Sequence, residues 1–93
     1  MYALHISLEK SLVCLAIEKT LLAFGTASLD EVRNRLKSDY NADFFDCYDH
    51  PGYLSTILED LYGMSHIHIV KSIKEKLEEF SYRESITRFI QSI

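Results

Sequence analysis

The chain has 93 residues, the size of one domain, and its 47% hydrophobic and 26% charged residues are those of an ordinary globular protein. Three glycines and one proline are too little punctuation for a many-stranded β fold, so helices joined by short links are predicted. The formal charge of −4 is unevenly placed: residues 41–63 carry five acids and no base, and no Lys or Arg occurs from Ser38 to Val70. That stretch is a poor nucleic-acid surface, because cations must replace the counterions of phosphate.

The first helix is predicted from about Ser7 to Phe24. Leu8, Leu12, Leu15 and Leu22, with Val13, Cys14, Ala16 and Ile17 between them, leave few polar positions in its middle. A helix apolar nearly all round belongs inside a bundle, so this one is expected to be the buried spine. Gly25 suits the left-handed position that ends many helices. A second helix is announced by Ser28-Leu29-Asp30-Glu31, the spelling of a capping box, and Leu29, Val32, Leu36 and Tyr40 form its stripe up to about Asn41.

Residues 41–50 are the least regular stretch. Pro51 then suits the first turn of a third helix, with Leu54, Ile57, Leu58 and Leu61 on one face and Gly63 closing it. Ser65 is expected to cap a fourth helix, in which His66, Ile69, Val70, Ile73, Leu77 and Phe80 share an arc of about 100°. Ser81-Tyr82-Arg83-Glu84 repeats the capping-box spelling, which predicts a break before a last helix lined by Ile86, Phe89, Ile90 and Ile93. The fold class read from these elements is all-α: one domain over residues 1–93, a compact bundle of about five helices.

Cys14 and Cys47 are too few for a disulfide framework, which points to a reducing, cytoplasmic compartment. The longest apolar run, Leu12 to Ile17, is far short of a membrane span. The start, Met-Tyr-Ala-Leu-His-Ile, has no basic segment, so no signal peptide is expected.

Four arrangements bear on function. His66 and His68 share a face only on an extended chain, and on a helix they diverge. Cys47 and His50 have C-x-x-H spacing beside Asp43, Asp46 and Asp49, but no second pair completes a zinc site and the acids lack calcium-loop spacing. No metal or other cofactor is therefore expected. A metal-responsive regulator would require those side chains to converge. Catalytic motifs such as G-x-S-x-G, the P-loop or H-E-x-x-H do not occur, so no enzyme is predicted.

The third arrangement is aromatic. Tyr40, Phe44, Phe45, Tyr48, Tyr53 and Tyr62 crowd the middle of the chain, either as a plug between the second and third helices or as a recognition patch. As a patch, acids beside the rings would favour basic protein partners. The fourth is a helix-turn-helix over residues 51–80, whose second helix would offer Ser65, His68, Lys71, Ser72 and Glu75 to a groove. Convergence of Lys71 and Lys74 with Arg83 or Arg88 would favour DNA; interruption by Glu75, Glu78 and Glu79 would count against it.

With Pro51, Leu54, Ile57, Leu58, Tyr62-Gly63, Ile69, Ile73 and Leu77 in place, the segment His50 to Gly63 resembles the Nitrosopumilus output domain family. That family is a small helical domain attached to, or working beside, archaeal signalling proteins. There too a helix opens near a Pro, ends at an aromatic-Gly pair and is followed by an amphipathic helix, and the similarity spans about residues 7–80. The resemblance implies an all-helical signalling output or adaptor module with no catalytic site to carry over. Residues 40–48 have no counterpart in it.

The expectation is therefore a non-catalytic module that binds another protein or itself, with no membrane and with nucleic acid disfavoured. Its candidate contact residues are Tyr40, Phe44, Phe45, Tyr48 and Tyr53 in the aromatic stretch and Ile86, Phe89, Ile90 and Ile93 in the last helix. The last helix is the favoured dimer contact, since a terminal amphipathic segment can dock on its own core or on a neighbour's.

Overall fold

The computed structural model describes residues 8–93. Residues 1–7 lie outside it, and with them the expected helix start at Ser7 and the expected leader-free opening. The described residues form helices α1 (Leu8–Phe24), α2 (Thr26–Tyr40), a single-turn α3 (Asp46–Asp49), α4 (Pro51–Tyr62), α5 (His66–Leu77) and α6 (Glu84–Ser92), with no strand among them. The radius of gyration, 12.8 Å, is close to the ~12 Å expected of a compact chain this long. The fold is an all-α bundle, and residues 66–70 are helical.

One residue, Gly25, joins the first two helices. Its φ of +140° is open to glycine and strained for L side chains. Its N–H donates to the Leu21 carbonyl at 3.0 Å and its own carbonyl accepts the Ser28 N–H at 3.1 Å. With that bond the helix already starts at Thr26, so Ser28 lies inside the first turn and the predicted Ser28–Glu31 capping box does not form. The other two serine caps fail as well. Ser65 makes no side-chain cap bond, and the last residues before α5 form a 3-10 turn, Gly63–Ser65. At α6 the Ser81 carbonyl, rather than its hydroxyl, is engaged, accepting from Thr87 Oγ1 at 2.6 Å, and Arg83 holds the cap position. Asn41 ends α2 in the left-handed conformation, with its N–H donating to the Lys37 carbonyl at 3.0 Å. Pro51 opens α4, where its missing N–H costs no helical bond.

Packing follows the apolar stripes. α1 lies mainly against α2 and α5, and α4 against α2, α3 and α5, while α6 closes the bundle on α1, α4 and α5. Ile17, Leu21, Leu36, Leu54, Ile57, Leu58, Ile73, Leu77 and Ile86 are fully buried at the centre. Among the described residues four ion pairs tie the elements at the surface: Lys10–Asp49 (2.8 Å) from α1 to α3, Arg33–Glu18 (3.6 Å) from α2 to α1, Arg35–Asp60 (2.7 Å) from α2 to α4, and Arg83–Glu9 (2.6 Å) from the α6 entrance to α1. Backbone hydrogen bonding, with the Arg83 guanidinium second, lowers the Glu9 pKa.

The expected buried spine is corrected. Val13, Cys14, Ala16, Ile17, Thr20 and Leu21 of α1 are buried, but Leu8, Leu15 and Leu22 are 54%, 48% and 50% exposed. A 17-residue helix is about 25 Å long, and its neighbours here cover only one side of it.

Candidate interaction surface

The aromatic stretch is largely internal. Phe44 is 1% exposed, with the Arg33 guanidinium 5.5 Å from its ring centre. Tyr40 and Tyr53 stack at 4.0 Å and 10°, and the His50 ring lies 4.7 Å from Tyr53 at 19°. These contacts join the end of α2 to the start of α4, where the plug reading placed them. Tyr48 packs partly buried on the core, and Phe45 alone of the group is counted among the exposed large side chains, at 37%. Local acids hold the connection: Asp46 Oδ2 accepts the Asp43 N–H at 2.8 Å and Asp43 Oδ1 accepts the Phe44 N–H at 2.6 Å.

The last helix docks on its own bundle. Ile86 and Phe89 are buried, and Ile90 and Ile93 pack half-buried against the same core. Phe44, Ile86 and Phe89, named from the sequence as contact candidates, have no surface to offer a partner in this fold. The physical reason is that a nine-residue amphipathic helix gains more from the core beside it, at no translational cost, than from a neighbour.

Cys47 is buried, and burial pushes its thiol up to about 12, with Asp46 adding to the effect. Cys14 is likewise pushed up to about 12 by burial and by Glu18. The His50 ring stacks on Tyr53, and no group of three or more His, Cys, Asp or Glu that could hold a metal gathers among the described residues. His66 is half-buried, with Nδ1 donating to the Gly63 carbonyl at 2.8 Å, and His68 is exposed.

The cations named for a DNA surface are engaged separately. Arg83 pairs with Glu9, and Arg88 with Glu84 at 2.8 Å.

The surface that sequence reasoning missed is the outer side of α1. Residues seven apart differ by only about 20° around a helix, so Leu8, Leu15 and Leu22 share a face at intervals of about 10 Å. Beside them Leu12, Leu15 and Ala16 of α1 and Phe80 line an open groove of about 770 Å³, rimmed by Lys19, Glu75, Lys76, Glu78 and Glu79. One signal was present in the sequence: Lys19 falls just beside the Leu8–Leu15–Leu22 arc, about 20° from Leu8, and a lysine there marks a side that meets solvent. Further large apolar side chains, Phe24, Met64, Ile67 and Tyr82, are exposed elsewhere.

Among the described residues no helix is long and apolar enough to cross a membrane. Comparison with family models, curated proteins and solved structures finds no match to this chain.

Proposed function

We propose that this domain is a non-catalytic protein-interaction module, a cytoplasmic signalling output or adaptor of the kind the Nitrosopumilus output domain resemblance implies. The observation that carries the reading is the leucine face of α1, three large apolar side chains in register beside an apolar groove with charged rims. Apolar side chains gathered on one exposed face beside a groove support a contact site. Its apolar centre and polar rim also match the anatomy of protein interfaces. Two unbonded, buried thiols fit a reducing compartment.

A photo-crosslinking residue at Leu15, compared with one at the exposed Glu59 of α4, tests the proposal in cells that express the protein. A defined protein adduct, to itself or to another chain, is expected at Leu15 and not at Glu59. Equal or absent labelling at the two positions would sink the reading.

Sequence-specific DNA binding is the second reading. The short turn Gly63–Ser65 between α4 and α5 favours it. It requires duplex affinity that falls steeply with salt and is lost in Lys71→Glu.

A further inference from the structure

We propose that α6 is a detachable closure of the bundle, which swings away as a unit while α1, α2, α4 and α5 stay packed, with the Arg83–Glu9 pair as its clasp.

The chain is free to turn just before it. α5 ends at Leu77, Glu78–Phe80 form a single 3-10 turn, and Arg83 is extended at φ −88° and ψ 120°. α6 begins with no side-chain cap bond. Rotation within residues 81–82 therefore moves α6 while the helical bonds of α5 stay closed. What it breaks is the Arg83 N–H bond to the Phe80 carbonyl (3.0 Å) and the Thr87 Oγ1 bond to the Ser81 carbonyl (2.6 Å).

The ion pairs divide at the same place. Lys10–Asp49, Arg33–Glu18 and Arg35–Asp60 join α1, α2, α3 and α4 to one another, and Arg88 pairs with Glu84 inside α6. Among the described residues Arg83–Glu9 is the one ion pair that ties the α6 entrance to another helix. Its half-buried side chains keep more of their attraction in salt than the exposed Arg88 and Glu84 do.

The seat of α6 is incomplete. A crevice of about 290 Å³ is lined by Ser85, Arg88 and Ser92 of α6 and by Tyr48, Asp49 and Pro51 of α3 and α4, and Asp49 is already engaged by Lys10. The Arg83 Nε–H is buried without a protein partner, and an unmatched donor weakens the docked state. Ile86 and Phe89 are the buried side chains that hold α6, whereas α4 sinks Leu54, Ile57 and Leu58 fully into the centre. Elements with little buried apolar contact open below the free energy of global unfolding. Opening returns Ile86 and Phe89, hidden in the closed bundle, to the surface.

Native-state hydrogen exchange of the full chain in urea tests the proposal. The amides of Ile86, Phe89 and Ile90 are expected to share one opening, at least about tenfold more frequent than that of Leu58 in α4 and shallower in urea. Glu9→Gln and Arg83→Gln should each make the α6 opening about fivefold more frequent, and the double variant should raise it by less than the product of the two. Val32→Ala, in the core between α2 and its neighbours, separates unit opening from global unfolding. It should make the Leu58 opening about tenfold more frequent and leave the α6 opening unchanged, because α2 stays packed when α6 leaves.

Exchange in α6 that matches Leu58 and rises with it in Val32→Ala overturns the proposal. So does urea-independent exchange, which is fraying, or an α6 opening that neither clasp variant moves. Should Arg83→Gln fold poorly, Glu9→Gln alone decides.

Discussion

The aromatic connection around Phe44 and the leucine face of α1 carry similar apolar content, and the fold uses them in opposite ways. Phe44, Tyr40, Tyr48 and Tyr53 lie between helices and close the bundle, although acids surround them in the sequence. Leu8, Leu15 and Leu22 lie in the least polar helix of the chain and face outward. Local hydrophobicity therefore does not rank surfaces for interaction in a domain this small. What decides is whether another element of the same chain is placed to cover the side chain. Among the described residues the helices leave one side of α1 uncovered, whereas α2 and α4 meet over the aromatic connection.

The comparison breaks or holds first on core truncation. Phe44→Ala is expected to cost about 3–5 kcal/mol by denaturant unfolding at 25 °C, as for a fully buried aromatic, whereas Leu15→Ser, measured on the monomer, should stay within about 0.5 kcal/mol. Similar losses at the two positions would mean that α1 is covered after all.

A second test uses the thiols. Burial raises both cysteines from an ordinary 9.0 to about 12, so the neutral thiol is the form that the fold retains. In the unfolded chain they ionise near 9. Their contribution is thus fully present below about pH 9, and it is lost as pH rises from there toward about 12. Unfolding midpoints should fall over that window by more than in Cys14→Ala/Cys47→Ala, and a thiol reagent at pH 8 should label neither cysteine until the chain unfolds. Rapid labelling of Cys47 in the native state would show that the aromatic connection opens.

Smaller effects sharpen the picture. Thr20 is fully buried in α1, and its hydroxyl finds no protein partner among the described residues. Thr20→Val removes that unmatched oxygen at nearly constant shape and is expected to stabilise the fold by about 1 kcal/mol in the same unfolding assay. Loss of stability would show that the hydroxyl is bonded in solution. For the Tyr40–Tyr53 stack, a double-mutant cycle to leucine should return a coupling of about 0.5–1.5 kcal/mol. No coupling would reduce these rings to independent fillers and return them to the list of contact candidates.

Periodicity carried most of the fold. The faces Leu29–Val32–Leu36, Leu54–Ile57–Leu58 and Ile69–Ile73–Leu77 are buried as the spacing predicts, and Gly25, Asn41, Pro51 and Gly63 stand at helix boundaries. These are local consequences of a 3.6-residue repeat and of backbone constraints on glycine and proline, so one chain's sequence suffices for them. The serine caps at Ser28, Ser65 and Ser81 were legible but do not form, because neighbouring backbone groups close those turns first.

The candidate surface was the least legible part, because exposure is not a local property. The pattern of α1 shows that it is apolar on every side, and only the placement of α2 and α5 determines which side is left to water. The same holds for α6, whose stripe suits a neighbour's core as well as its own. Amphipathic pattern states how much surface a helix must cover. Tertiary packing states who covers it, through distances between residues far apart in the chain, such as the Arg83–Glu9 pair that closes α6 onto α1.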